Sequence, residues 1–449
     1  MTYIVGHPIK NPGDFYGRYE QIIRFYEIIG GTQTQSISIL GLRRAGKTSF
    51  LKYISHPDVM ARFLPNASQY IMVYIDMSYS KTPSEFYYRL LMRIKQELGN
   101  KVVTTNLWKP SPPAETTIYD VETWLCEFQE KRVVLLLDEF DHLRSQAFDQ
   151  DFLTELRAMT SVLDYDLACV TASYWDLYQL GAHLGLPPTS PFYNIFYPTP
   201  LYISGLDAAD SNALIRNPAL QQGFTYTNSE VEAIEKLAGT LPFFLQAVAD
   251  KWLTQRRQDG KVNEDRIRED LTSEMHPFFS QWWRTMSEID RHLLAEAAQI
   301  ETLHDITYHQ VELAEAHRRL LAYGLLREVN GSLQINGDVF HHWLVQHALR
   351  IMQNYNGHIL AGNGNGNGYQ DSYENGSGQF SRAQLRRALT EYFDMEELRT
   401  LCFDLGVDFD ELPGAGLQAK ARDLVHYWEK RGQLEKLVQA IRYERGHVV

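Results

Sequence analysis

The first 205 residues alternate short, continuous apolar runs with segments whose apolar residues recur every three or four positions. Continuous runs are typical of strands buried on both faces of a parallel sheet, whereas the wider spacing predicts amphipathic helices. Helices are predicted at 84–98, with Ser84 as the N-cap, and at 121–129. Strands are predicted at 37–40, 69–77, 132–138 and 167–173. This alternation predicts a doubly wound α/β domain over residues 1–205.

The pattern becomes helical after residue 205. Residues 206–275 predict a helical lid, in which Pro242 occupies the first turn of an apolar helix, a position that proline tolerates. Residues 276–355 combine apolar helices with a hairpin whose two-residue turn is Asn330-Gly331. Helices followed by such a hairpin predict a winged-helix domain.

A segment rich in glycine, asparagine and serine precedes the C-terminal region. Residues 356–379 include the run AGNGNGNG and few aliphatic side chains, which predicts a flexible linker. Residues 380–449 again carry apolar side chains at helical intervals, among them Leu385, Leu389 and Trp428. The sequence therefore predicts a separate all-α bundle of four or five helices at this end.

Composition and charge narrow the class of protein. Of the 449 residues, 44% are hydrophobic and 22% are charged, which is ordinary for a soluble globular protein. The net charge of −13 disfavours nucleic acid as a partner, because that binding depends on neutralising phosphates. The three cysteines lack metal-site spacing, and no basic leader or long apolar run is present. We expect a cytoplasmic protein that does not bind membranes.

The stretch GLRRAGKTSF, residues 41–50, follows the first strand and opens a helix. A glycine-bounded turn at a helix N-terminus aims backbone N–H groups at phosphate oxygens. Gly41 and Gly46 would allow close backbone approach, Lys47 would reach the β- and γ-phosphates, and the Thr48 hydroxyl would hold Mg²⁺. The other candidate nucleotide-binding residues of the loop are Arg44, Ala45 and Ser49. The loop predicts ATP or ADP, with Mg²⁺, as cofactors; the alternative is a chance match.

Two acids follow the apolar run at 132–138. Asp138 would sit at the carboxyl end of a central strand and hold Mg²⁺ together with Thr48, and Glu139 would polarise the attacking water. With Lys47 these acids form the predicted catalytic set; the alternative is a strand end with solvated acids. Thr171 or Ser173, at the end of a further strand, would sense the γ-phosphate or cap the next helix.

Four motifs together resemble the STAND-class, AAA+-like signalling ATPases, which include relatives of NACHT and NB-ARC switches and of origin-recognition ATPases. They are FYGR at 15–18, the GLRRAGKT loop, LLLDEFD and GTLPFFLQ. The resemblance covers roughly residues 11–350 and implies an AAA+-like P-loop NTPase. It also implies that Tyr16, Gly17 and Arg18 lie near the nucleotide base and that Pro242 closes the site from the lid. An arginine finger is not identifiable in the sequence.

The C-terminal region resembles a bacterial effector-associated domain, a death-domain-like adaptor, in residues 393–414 and 419–441. The resemblance implies pairing with a matching domain on an effector protein such as a protease. Eight acidic residues and one basic residue lie between Glu391 and Glu411, whereas basic residues dominate 420–445. Such charge segregation favours self-association or association with a like module, although it also suits a solvated surface.

Two functions remain open from the sequence. The first is a slowly hydrolysing ATP switch that recruits an effector through its C-terminal domain in a bacterial conflict, defence or programmed-death system. The second is a DNA-acting AAA+ ATPase whose winged helix binds DNA. The candidate recognition segment of the winged helix, residues 309–324, offers Arg318 and Arg319 as its firm cations. Together with the net charge of −13, this favours the switch.

Overall fold

The computed structural model describes most of the chain. The described residues are 3–98, 112–127, 130–145, 147–162, 164–300, 309–329, 331–347, 382–405, 407, 409, 412, 414, 416–431 and 434–444. Contacts divide the chain into two compact units, Met1–Gly362 and Asn363–Val449. The predicted linker at 356–379 lies outside the described residues.

Five strands of the first unit form a parallel sheet in the order β2-β3-β4-β1-β5. The strands are β1 (Ile37–Leu40), β2 (Tyr70–Asp76), β3 (Arg132–Asp138), β4 (Asp166–Ser173) and β5 (Leu201–Tyr202). The predicted α/β class with a parallel sheet is confirmed. Because Asp76 is in register with Asp138, the carboxyl ends of β2 and β3 bring two acids to one edge of the sheet.

Helices surround the sheet and continue beyond it. They are α1 (Tyr19–Ile29), α2 (Lys47–Ile54), α3 (Pro57–Phe63), α4 (Pro83–Leu98), α5 (Ile118–Cys126), α6 (Gln150–Thr160), α7 (Leu177–His183), α8 (Ala208–Gln221), α9 (Asn228–Ala238), α10 (Pro242–Asp259), α11 (Glu264–Glu274), α12 (His276–Thr285), α13 (Glu288–Ala297), α14 (Gln310–Ala322) and α15 (338–347). The predicted cap of α4 at Ser84 was wrong, because the Thr82 hydroxyl accepts from the Glu85 N–H. Helix α5 begins before residue 121, where Thr117 and Asp120 form a capping box.

Strand β3 shows how the sheet orients the acid at its end. Val134 and Leu136 pack into one hydrophobic cluster, together with Phe50 of α2, whereas Leu135 and Leu137 pack into the cluster on the opposite face. Side chains alternate between the two faces of a strand. Asp138 therefore belongs to the same face as Leu136, which is the face covered by α2.

A two-stranded antiparallel hairpin follows α14. Its strands are β6 (Leu326–Val329) and β7 (Ser332–Ile335); Gly331 has a φ of 77°, and Asn330 lies outside the described residues. Helices followed by a hairpin match the predicted order of elements, and the winged helix itself stays a prediction. The domain boundaries at 205, 275 and 355 also stay predictions.

The second unit is all-α in its described part. Helices α16 (Arg382–Tyr392), α17 (Met395–Asp404), α18 (Leu417–Lys430) and α19 (Leu434–Glu444) enclose their own apolar core. Leu389, Leu398, Leu424, Leu437 and Ile441 are fully buried in that core. The predicted separate helical bundle is confirmed as a fold class.

Candidate nucleotide-binding site

The loop between β1 and α2 requires glycine at two positions, Gly41 and Gly46. A Cβ atom on Gly41 would lie 2.6 Å from the Ile203 carbonyl oxygen, just after β5. Gly46 has a φ of 102°, which L-residues rarely adopt, and it is the N-cap of α2. Since Gly46 offers no side-chain cap, the first N–H groups of α2 remain available to an anion.

Lys47, the first residue of α2, is buried beneath this loop. Its Nζ donates hydrogen bonds to the carbonyl oxygens of Gly41 at 2.8 Å and Leu42 at 3.2 Å. The ammonium group has three donors, so these two bonds leave one for a ligand. The loop carbonyls therefore position the Lys47 ammonium at the cavity described next.

A cavity of about 270 Å³ lies against the loop. It is lined by nine of the predicted site residues: Tyr16, Arg18, Arg44, Gly46, Lys47, Thr48, Ser49, Glu139 and Pro242. Gly17, Gly41, Ala45 and Asp138 do not line it. Arg43 joins the predicted cations at the wall, and Asp14 and Glu139 are its acidic residues. Four cations against two acids, beside a helix N-terminus, fit a polyphosphate group.

Arg18 is a buried cation that holds the loop. Its Nη2 donates to the Ala45 carbonyl oxygen and to the Ser204 carbonyl oxygen, both at 2.7 Å. Burial lowers the pKa of the Arg18 guanidinium to about 10, and the nearby Asp210 carboxylate opposes this shift. The group is therefore charged at neutral pH. Gly17 precedes it with a φ of 72°, and a Cβ there would lie 2.4 Å from the Asp210 carboxylate.

Asp138 is 1% exposed and accepts two hydrogen bonds. Its Oδ1 accepts from the Glu139 N–H at 3.0 Å, and its Oδ2 accepts from the Tyr74 hydroxyl at 2.8 Å. Burial, together with the Asp138 carboxylate, raises the pKa of Tyr74 far above its usual range, so this hydroxyl remains a donor. Sequence reasoning missed Tyr74, because only strand pairing brings it to Asp138.

Glu139 has a left-handed backbone, with a φ of 50°, and it lines the cavity directly. Non-glycine residues in this region are uncommon and concentrate at functional sites. The carboxylates of Asp138 and Glu139 and the Thr48 hydroxyl are hard oxygen donors, which suit Mg²⁺. The residues present therefore fit both a nucleotide phosphate group and its metal.

Asp141 is a second site-supporting residue that sequence reasoning missed. Its carboxylate accepts from the backbone N–H groups of Tyr174 at 2.7 Å and Trp175 at 3.0 Å, which fastens the end of β3 to the end of β4. Ser173 donates its hydroxyl to the Trp175 carbonyl oxygen at 2.7 Å. The Thr171 hydroxyl is buried and has no hydrogen-bond partner among the described residues. Neither hydroxyl lines the cavity.

The tip of the phosphate loop contacts the helical elements beyond the sheet. The Arg44 guanidinium lies 5.3 Å from the Phe243 ring of α10 and 5.1 Å from the Phe278 ring of α12. Burial lowers the pKa of Arg44, and the Arg43 charge lowers it further. Arg43 donates to the Gln281 side chain of α12 at 3.0 Å. The loop that faces the cavity thus also touches α10 and α12.

The parallel sheet, the glycine-bounded loop and the buried acid at the end of β3 define a P-loop ATPase fold. A family model for the novel STAND NTPase 2 family matches residues 31–297, and the chain belongs to that family. A second family model, effector-associated domain 7, matches residues 385–446. The chain therefore joins a STAND NTPase domain to an effector-associated domain.

One solved structure shares the fold, and two others resemble the chain more weakly. The Walker-type ATPase PABY2304 of Pyrococcus abyssi has 16% identity and a TM-score of 0.53, over 77% of this chain and all of that chain. The Aeropyrum pernix ORC2 protein, in ADPNP–ADP complexes, has 12% identity and a TM-score of 0.45, over 76% and 93%. The A. pernix ORC1 protein in complex with DNA has 15% identity and a TM-score of 0.39, over 75% and 94%. No curated protein sequence matched the chain.

Every helix in the described part of the chain is too short or too polar to cross a bilayer.

We expect Gly46→Ala to abolish nucleotide binding, because a side chain at a φ of 102° strains the loop that presents the N–H groups. Fluorescent ADP titration measures the effect. The matched control is Gly185→Ala, since Gly185 also has a positive φ, of 81°, with nothing within 4 Å of its added Cβ. Unchanged ADP affinity in Gly46→Ala would show that the loop does not hold the phosphates.

Proposed function

We propose that this protein is an ATP-dependent signalling switch whose nucleotide state controls recruitment of an effector by its C-terminal domain. The observation that carries the proposal is the double role of the phosphate loop. Lys47 and the N-terminus of α2 face the cavity, while Arg43 and Arg44 of the same loop contact α10 and α12. A change at the γ-phosphate position would therefore reach the lid through one short segment.

In this proposal the protein is a slow, Mg²⁺-dependent ATPase. Lys47 binds the phosphates, Arg18 holds the loop and adds positive charge at the cavity wall, and Pro242 closes the cavity from α10. Thr48 and Asp138 would hold Mg²⁺, which would neutralise phosphate charge when bound. Glu139 orients and polarises the attacking water as a general base. Slow turnover suits a switch, because a switch needs a long-lived ATP-bound state more than a fast rate.

The C-terminal domain would bind a matching domain through complementary charge. Arg386 on α16 and Lys430 on α18 are both exposed, and in this proposal they form the basic face of the interface. Glu397 is committed elsewhere, because it forms a reciprocal cap with Asp394 at the start of α17. Asp408 and Asp410 lie outside the described residues, as do the side chains of Glu396 and Arg387. The basic face therefore offers the cleaner test of this interface.

A bacterial conflict, antiviral defence or programmed-death system is the biological setting we propose, and the cytoplasm is its location. The support is the pairing of a STAND NTPase domain with an effector-associated domain in one chain. An adaptor domain with no catalytic-looking cluster in its sequence needs a separate effector to act.

DNA binding by a winged helix is the second candidate, and the contacts of α14 weaken it. The Arg319 guanidinium donates to both carboxylate oxygens of Asp290, with a shortest distance of 2.7 Å. Asp290 is 5% exposed, so this ion pair holds the Arg319 side chain, which is 34% exposed, against a buried carboxylate. Arg318 stays exposed. One of the two predicted recognition cations is thus engaged in folding.

We expect Lys47→Ala to lose ATP binding and Glu139→Gln to keep binding while losing hydrolysis. Removal of the buried ammonium leaves the phosphates without their central cation, whereas Gln keeps the shape of Glu139 but cannot accept a proton. Isothermal titration with ATP and phosphate release measure the two steps. Asp14→Asn, at the other acid on the cavity wall, is the matched control and should hydrolyse ATP normally. Normal turnover in Glu139→Gln would remove Glu139 as the general base.

Reversing Arg386 and Lys430 together to Glu should prevent a partner from co-purifying with the full chain at low salt, while phosphate release is unchanged. Exposed ion pairs contribute about 0.2–1 kcal/mol each and are screened by salt, so wild-type recruitment should also fade at high salt. Arg257→Glu with Lys261→Glu changes the net charge equally at two exposed residues elsewhere and should have no effect. Recruitment that survives both reversal and salt would contradict the electrostatic interface.

A further inference from the structure

A large groove lies beside the nucleotide cavity, between α4 and the ends of α2 and β2. Its volume is about 1230 Å³, against about 270 Å³ for the cavity. Thr48 and Pro8 line both spaces, so the groove opens next to the loop. The outward face of α4 forms one wall, whereas its opposite face, with Phe86 and Leu90, is buried in the core.

The groove is locally basic in an acidic chain. Its five cations are Lys52, Lys81, Arg89, Arg93 and Lys95, and its acids are Asp76 and Glu85. Four of the cations are exposed: Lys52, Lys81, Arg89 and Arg93. The total charge of −13 is spread over the whole chain, and the potential felt by a ligand is set by the groups around it. The groove therefore attracts anions.

Aromatic rings are interleaved with these cations. Tyr79 is 65% exposed at the mouth of the groove, and Tyr88 is half-buried on α4. An exposed tyrosine beside cations is a platform on which a nucleobase stacks. Base stacking and phosphate pairing are the main contacts by which proteins bind single-stranded nucleic acid without sequence preference.

The size of the groove distinguishes between ligands that share this chemistry. It has more than four times the volume of the cavity that lies against the phosphate loop. We propose that the groove binds a single-stranded nucleic acid several nucleotides long, with Arg89 and Arg93 on the phosphates and Tyr79 under a base. A duplex hides its base faces, so Tyr79 offers it no stacking contact. This proposal revises the expectation from net charge that nucleic acid is not a partner.

The groove also reaches the hydrolytic residues. Tyr74 lines it and donates its hydroxyl to Asp138, and Thr48 lies on the shared wall. Lys52 lies 5.9 Å from the Tyr74 ring. A nucleic-acid strand bound in the groove would contact Tyr74, which is hydrogen-bonded to Asp138, and Thr48. Binding to the groove itself does not depend on the proposed switch function, so each can fail without the other.

Fluorescence anisotropy with a labelled twelve-residue oligothymidylate tests the proposal on the full chain. Binding should weaken about 100-fold between 50 and 200 mM salt if about five phosphates are neutralised. Arg89→Glu with Arg93→Glu should weaken binding at least tenfold, and Arg257→Glu with Lys261→Glu should not. Tyr79→Ala should weaken binding about 5-fold or more, whereas Tyr79→Phe keeps the aromatic ring and should bind like the unmodified protein. Tyr119 is 72% exposed and lies outside the groove, so Tyr119→Ala should leave binding unchanged.

Four results would overturn the proposal. The first is absence of oligothymidylate binding at 50 mM salt, and the second is equal weakening in the charge-matched control. The third is equally tight binding of a duplex. The fourth is displacement of the probe by thymidine monophosphate at the concentration at which unlabelled oligothymidylate displaces it. The last would assign the groove to a free nucleotide instead of a strand. Thermal melting of each variant confirms that it is folded before its binding is compared.

Discussion

The nucleotide site depends on the hydrogen bonds that the buried guanidinium of Arg18 donates to the backbone. Arg18 is 6% exposed, and its hydrogen bonds go to two backbone carbonyl oxygens, one in the phosphate loop and one after β5. Hydrogen bonds from a charged donor contribute about 1.5–3 kcal/mol. Because these acceptors are neutral, the positive charge of Arg18 is not cancelled by them. The same group therefore fixes the loop and leaves the cavity attractive to phosphate.

The residues that lead into α10 are hydrogen-bonded to the residue that follows the hairpin. Asn336, after β7, donates to the Thr240 hydroxyl at 2.8 Å and to the Gly324 carbonyl oxygen at 2.7 Å, and accepts from the Thr240 N–H at 3.2 Å. Thr240 lies two residues before Pro242. A movement of Pro242 toward or away from the cavity would thus carry the hairpin with it, because buried hydrogen bonds of this kind are costly to break.

Much of the site was predictable, because its signals are local. The strand before the loop, the glycines at 41 and 46, Lys47 and the acid after β3 each follow from a short motif. Tyr16 and Pro242, which the resemblance assigned to the nucleotide site, line the cavity, and their roles there stay predictions. The resemblance implied that Arg18 lies near the nucleotide base, whereas in the structure its guanidinium is hydrogen-bonded to the phosphate loop. Its partners could not be predicted because Ser204 is far away in sequence.

Contacts between strands and between distant helices could not be predicted either, because the residues that meet are far apart in the sequence. Tyr74 and Asp141 support the site through register and strand ends, and nothing in their spacing marks them. The contact between Arg44 and Phe278 joins residues more than two hundred positions apart. The basic groove gathers cations from α2, from α4 and from the segment between β2 and α4, and each charge alone looks unremarkable along the chain.

The central claim is that the phosphate loop passes the state of the nucleotide to α12 through Arg44. Hydrogen–deuterium exchange of α12, with ADP and with a non-hydrolysable ATP analogue, tests it most directly. The account predicts that exchange of α12 differs between the two nucleotides in the unmodified protein and that this difference is lost in Phe278→Ala. The control is Phe224→Ala, which removes a ring that contacts Arg256 instead, and there the difference should be retained. Identical exchange of α12 with both nucleotides in the unmodified protein would contradict the account.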